Sequence, residues 1–191
     1  MQTLEQLKAG HLHGATRLQL AEQLTEFPLE IFELADTLEV LDLSNNQLSQ
    51  LPDDLHRLKN LRILFASNNR FQSLPTALGT CPQLEMIAFK SNRISDISET
   101  SLPDKTRWLI LTDNRIKALP ANIGTLTRLQ KLMLAGNRIE HLPDSLAQCQ
   151  ALQLLRVSAN SLVQFPNVLL QLPRLAWLAF AGNPFCQQGT P

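Results

Sequence analysis

Asn114–Pro120 reads NRIKALP, and Asn137–Pro143 reads NRIEHLP, 23 residues further along the chain. The same asparagine recurs at Asn46, Asn69, Asn92, Asn160 and Asn183, at successive intervals of 23, 23, 22, 23, 23 and 23 residues when all seven are taken in order. A fixed period of roughly 20 to 50 residues held over most of a chain marks a repeat architecture, in which each unit is one supersecondary element stacked on the next.

Each unit follows the pattern L-x-x-L-x-L-x-x-N-x-L-x-x-L-P-x-x-L-x-x-L. The second shows it in full: Leu38, Leu41, Leu43, Asn46, Leu48, Leu51, Pro52, Leu55 and Leu58. The L-x-L centre alternates apolar and variable residues, the period of a strand. After Leu-Pro, apolar residues fall at every third place, which suits a 3₁₀ or brief α turn opened by a proline whose missing N–H is harmless there. One strand and one return turn cannot bury their own apolar face, so the units must stack, with their strands forming a parallel sheet. The asparagine sits where the chain leaves the strand and inward backbone groups lack a ladder partner. Its amide carries both donors and an acceptor, and a column of such amides satisfies neighbouring turns.

The chain has 191 residues, 44% of them hydrophobic, and 17 basic against 17 acidic residues. A neutral balance argues against bulk attraction to nucleic acid or to an anionic membrane. The opening MQTLEQLKAG lacks a signal-peptide apolar run, and no stretch is long and apolar enough to span a membrane. Three cysteines and no Asn-x-Ser/Thr acceptor site point to a reducing, cytoplasmic setting.

The repeat residues resemble the leucine-rich-repeat family, in its 23-residue form with Leu-Pro in the return segment, over about residues 15–185. The resemblance implies an α/β fold: a right-handed, curved solenoid with a parallel β-sheet on the concave face and short 3₁₀ or α turns on the convex face. It also implies that other proteins bind on the concave face. WLILTDNRI (108–116), LQKLMLAGNRI (129–139) and LPRLAWLAFAGNPF (172–185) are further similar to the amino-terminal repeat region of certain bacterial proteins in which a serine/threonine-kinase-like domain follows the repeats. No glycine-rich loop, Val-Ala-Ile-Lys, His-Arg-Asp or Asp-Phe-Gly occurs in this chain. Two alternatives to a plain binding module therefore stand: the sensor or targeting region of a kinase, or a bacterial effector acting in a host cell.

Residues 1–14 form an amino-terminal cap, 15–186 eight repeats starting near 15, 38, 61, 84, 106, 129, 152 and 175, and 187–191 a tail. Thr3-Leu4-Glu5-Gln6 has capping-box spacing, with Gly10 as a stop, and predicts a short helix over 3–9 that covers the open end of the core. The first unit, RLQLAEQLTEFP, lacks the asparagine. The fourth, ISETSLPDK (97–105), has Ser98 in the proline's place, which predicts an irregular turn with Ser98, Thr100 and Ser101 clustered on the surface. The eighth reaches Asn183-Pro184-Phe185-Cys186 before any Leu-Pro turn, leaving an unpaired strand edge. Continuation of the natural chain, folding back of QQGTP and self-association through that edge are the three resolutions, the first being favoured.

Little else suggests chemistry. Cys81 and Cys149 occupy leucine positions of their units and read as core, too far apart for a disulfide; the state of Cys186 is open. His11 and His13 lack a third metal ligand. Asp53–Asp54 follow Pro52 at a turn start and read as capping. No catalytic residue, metal site or cofactor is expected.

The residues flanking the inward leucines should point outward on the concave face in two columns: Arg17, Val40, Ile63, Met86, Trp108, Lys131, Leu154 and Trp177, then Gln19, Asp42, Phe65, Ala88, Ile110, Met133, Arg156 and Ala179. Val40, Ile63, Phe65, Met86, Trp108, Ile110, Met133, Leu154 and Trp177 make an apolar band, with Arg156 beside it. Such a patch marks an interaction site for a protein or peptide. The residue after each asparagine is Arg70, Arg93, Arg115 and Arg138 in four consecutive units, a candidate strip for an acidic partner rather than for nucleic acid.

Overall fold

The computed structural model describes residues 2–187. Eight three-residue strands form one parallel sheet: β1 (Arg17–Gln19), β2 (Val40–Asp42), β3 (Ile63–Phe65), β5 (Met86–Ala88), β7 (Trp108–Ile110), β8 (Lys131–Met133), β9 (Leu154–Arg156) and β10 (Trp177–Ala179), in that order across the sheet. Two further short strands, β4 (Ser73–Leu74) and β6 (Asp96–Ile97), pair with each other outside it. The strands alternate with 3₁₀ turns, such as Ala121–Thr125 and Asp144–Gln148, these two entered directly through the repeat's proline. Every strand places its middle leucine or isoleucine inward, and Leu41, Leu64, Ile87, Leu109, Leu132 and Leu155 are all fully buried in a single core.

The asparagines act as the repeat pattern requires. Asn114 Nδ2 donates to the carbonyls of Phe89 (2.9 Å) and Leu111 (3.0 Å), and its Oδ1 accepts from the Ile94 amide (2.9 Å). Asn137 repeats this with Leu111, Leu134 and Ile116. Each amide thus joins its own turn to the preceding repeat and gives three inward backbone groups a partner there. The residue before the asparagine adopts a left-handed conformation, with φ of 61° at Asn45, 56° at Asp113 and 69° at Gly136. Asparagine, aspartate and glycine reach that region at the least cost.

The first helix, α1 (Leu4–Lys8), has both halves of the capping box: the Gln6 amide donates to Thr3 Oγ1 and the Thr3 amide to Gln6 Oε1, each at 3.1 Å. Leu7 is buried against the core. The Gln2 side chain adds a pseudo-strand to the sheet edge, donating to the Arg17 carbonyl (3.0 Å) and accepting from the Gln19 amide (2.9 Å). The opposite end is less covered. Leu175 and Leu178 are only half-buried and Phe180 is 36% exposed, where their equivalents in the middle repeats are fully enclosed. Phe165, Phe180 and Phe185 cluster there, with ring centroids 5.5 to 6.2 Å apart. The expected folding back of the tail falls mostly on residues 188–191, outside the described residues.

Two local expectations need correction. Ser101 does not join Ser98 and Thr100 on the surface: it is fully buried, and its hydroxyl donates to the Leu74 carbonyl at 2.8 Å. The three-residue turn Glu99–Ser101 rotates this side chain inward, while Ser98 takes backbone angles (φ −66°, ψ 148°) like those of Pro120 and Pro143 at the same point of their units. Asp54 precedes the turn Leu55–Arg57 but makes no capping hydrogen bond; its carboxylate instead pairs with Arg57 at 3.0 Å. The arginine one turn on competes for the oxygen that would have reached the backbone amides.

Candidate functional site

Parallel pairing in uniform register builds the concave surface. Arg17, Val40, Ile63, Met86, Trp108, Lys131, Leu154 and Trp177 are successive partners across the sheet, as are Gln19, Asp42, Phe65, Ala88, Ile110, Met133, Arg156 and Ala179. Both anticipated columns therefore exist as rows of side chains on one face. Val40, Ile63, Phe65, Met86, Ile110, Met133 and Leu154 are half-buried by their neighbours, Arg156 is exposed, and Trp177 is 63% exposed.

The apolar band is not continuous in the first column. Trp108 is half-buried rather than exposed, because Lys131, its register partner on β8, holds its ammonium 3.7 Å from the centre of the indole ring. This cation–π contact covers one face of the ring and separates it from Leu154 and Trp177. Val40, Ile63, Met86 and Trp108 come together as one group on the near side, and the apolar path onward runs through Ile110 and Met133 in the second column.

That group floors a depression of about 300 Å³ whose wall is a row of charges: Glu39, Arg62, Glu85 and Arg107. Each is the residue immediately before a strand. Glu85 pairs with Arg62 at 3.2 Å and with Arg107 at 3.8 Å, and Arg107 continues the row by donating to Gln130 at 3.2 Å. Sequence reasoning stopped at two columns and missed this third one, although the alternation Glu, Arg, Glu, Arg was present in four consecutive units. With both partners partly solvated, each pair contributes about 0–1 kcal/mol; the row's larger effect is to fix orientation and neutralise charge beside an apolar floor.

Arg70, Arg93, Arg115 and Arg138 lie elsewhere, on the loops leaving the strands. All four are exposed, and among the described residues none forms an ion pair. Cys81 and Cys149 are buried and Cys186 exposed, all as free thiols. Burial pushes the Cys81 thiol up to about 12 and that of Cys149 to about 11, so neither is a nucleophile near neutral pH. His11 and His13 are exposed, and among the described residues no cluster of three or more His, Cys, Asp or Glu is arranged to hold a metal ion. No helix of the described residues is long and apolar enough to cross a membrane.

A parallel solenoid with one strand and one 3₁₀ return per repeat, and an inward asparagine in every repeat after the first, defines a class of stacked-repeat proteins. The leucine rich repeat profile matches residues 16–71, 104–162 and 127–185, and the chain belongs to the leucine-rich-repeat family. In structure it is similar to a leucine-rich-repeat protein of Leptospira interrogans (TM-score 0.76, 28% identity), covering 92% of this chain and 51% of that one. It also shares its fold with an internalin of Listeria monocytogenes (TM-score 0.71, 21% identity), covering 92% and 50% respectively. The chain thus spans about half the length of each. No curated protein matches it in sequence. The matches concern the repeats; they carry no information about a kinase domain.

Proposed function

We propose that this chain is a non-enzymatic protein-interaction module that receives a protein or peptide on its concave face, with its main anchor in the depression floored by Val40, Ile63, Met86 and Trp108. The observation that carries the reading is that depression: an apolar floor of large side chains beside a wall in which Glu85 already pairs with Arg62 and Arg107. A bound apolar side chain would displace water from the floor without stripping the wall of its partners, so the desolvation cost stays low. Tryptophan and methionine are residue types enriched at such interfaces, and one polar row beside an apolar floor orients a ligand. Ile110, Phe65, Met133, Leu154, Arg156 and Trp177 would extend the contact along the sheet.

Selection of peptides from a random library on the wild-type chain tests this. The reading expects selected peptides to carry a large apolar residue and to lose affinity for Met86→Ala, while Leu170→Ala, at a 77% exposed position in a return turn, leaves binding unchanged. Peptides that respond to Leu170 and not to Met86 would overturn it.

A further inference from the structure

Arg70, Arg93, Arg115 and Arg138 are all exposed, and none of them forms an ion pair among the described residues. Their backbone is held firmly. Each amide donates to a carbonyl of the preceding repeat: Arg70 to Leu48 (2.8 Å), Arg93 to Phe71 (2.9 Å), Arg115 to Ile94 (2.8 Å) and Arg138 to Ile116 (2.9 Å). Each also follows directly on a ladder asparagine. The row is therefore rigid at its base, with steps of about 4.8 Å, the spacing of paired strands. It is bounded by Gln47 and Ser161, the residues at the same point in the adjoining repeats.

We propose that this row is a docking strip for an extended, acidic protein segment that runs across the repeats. Guanidinium forks fixed at their base favour planar, bidentate acceptors, and carboxylates on such a segment supply them. Alternate side chains of an extended chain recur at about 6.6–6.8 Å, so the roughly 14 Å from Arg70 to Arg138 accommodates two or three of them. Carboxylates fit better than a nucleic-acid backbone for two reasons. Asn68, Ser91, Asp113 and Gly136 on one side, and Gln72, Ser95, Lys117 and Glu140 on the other, offer no aromatic platform for bases. Asp113 and Glu140 also interrupt the field that a run of phosphates would need. The contrast with the other side of the sheet supports the assignment, because there Glu85 pairs with both Arg62 and Arg107 from within the chain, whereas the strip arginines form no ion pair among the described residues. The strip spans the same four repeats that carry Ile63, Phe65, Met86, Trp108, Ile110 and Met133. One partner with acidic residues flanking apolar ones would cover both surfaces, and this last step rests on the concave-face reading above.

The test uses a short fluorescein-labelled peptide of alternating glutamate and serine, titrated by anisotropy at about 50 mM salt. Two charge-matched variants are compared: Arg70→Gln/Arg93→Gln/Arg115→Gln/Arg138→Gln, and a control at exposed basic positions off the strip, Lys8→Gln/Lys59→Gln/Arg128→Gln/Arg174→Gln. The strip variant is expected to lose about tenfold or more in affinity while the control keeps the wild-type value. Trp108→Ala should leave this probe unaffected, since the probe has no apolar group; failure of the concave site and failure of the strip are thereby read separately. Equal loss in both quadruple variants, no binding to the wild-type chain, or tighter and equally arginine-dependent binding of oligothymidylate would each overturn the proposal.

Discussion

Leu109 and Trp108 are neighbours on β7 and belong to different surfaces. Leu109 is wholly enclosed, and its equivalents in the other strands are leucine or isoleucine throughout. Trp108 is half-buried on the outer face, and its register partners are Met86 and Lys131. One side of the sheet is uniform because every unit must fill the same core layer at close packing. The other varies from strand to strand because folding asks little of it, so its composition is open to the demands of a partner. Folding and binding should therefore separate residue by residue along a single strand.

The comparison breaks first, and by most, on the inner side. Leu109→Ala should destabilise the chain by about 2–5 kcal/mol, as truncation of an enclosed leucine does. Leu178→Ala, the same position in the half-covered last strand, should cost about 1–2 kcal/mol, because part of the surface it loses is already solvated. Denaturant midpoints of the two variants check the ordering; equal losses would mean that the carboxy-terminal end is as well packed as the middle.

The asparagine column comes next. Asn114→Ala or Asn137→Ala leaves one inward amide, that of Ile94 or Ile116, without its acceptor, while each carbonyl it served keeps a neighbouring ladder asparagine; the change should cost about 1–3 kcal/mol without altering the concave face. Unchanged unfolding midpoints in both variants would remove the ladder from the account.

The buried thiols give a smaller effect with a defined sign. Their values in the fold, about 12 and about 11, stand above the ordinary 9.0, so the folded state holds these protons more tightly than the unfolded chain. The stability they contribute is complete below about pH 9 and is lost as pH rises through the folded values. Near pH 8, alkylation of the native chain should therefore reach Cys186 alone, and mass spectrometry should find all three cysteines modified only after unfolding. Rapid native labelling of Cys81 or Cys149 would show that the core opens.

The fold was almost wholly legible in the sequence, and the reasons are physical. A core layer repeated at a fixed interval prints its period on the chain, so Leu41, Leu64 and Leu109 and the asparagines announced both strand and register. Both outward columns followed from alternation alone. What escaped depends on side-chain direction and on pairs between repeats. Lys131 was visible beside Trp108, but nothing in the pattern says that an ammonium lies over the ring. Glu85 reaches Arg62 and Arg107 across gaps of 23 and 22 residues, and a residue just before a strand reads as loop variation until the repeats are aligned and their third column is read downward. Ser101 was placed outside because the pattern of its unit fails there, and only the three-residue turn decides where its hydroxyl goes.

The account's central claim, that the outer face serves a partner and not the fold, is tested most directly at the two tryptophans. Trp108→Ala and Trp177→Ala should be compared by thermal unfolding and by affinity for a peptide selected on the wild-type chain. The predicted result is a stability loss of about 1 kcal/mol or less at Trp108, mostly from its contact with Lys131, and of about 0.5 kcal/mol or less at Trp177, which is largely exposed. Binding per folded molecule should fall for Trp108→Ala by about 2 kcal/mol, close to thirtyfold, as expected for a central buried tryptophan. A large loss of stability at Trp108 with peptide affinity intact would contradict the claim and return this side chain to the core.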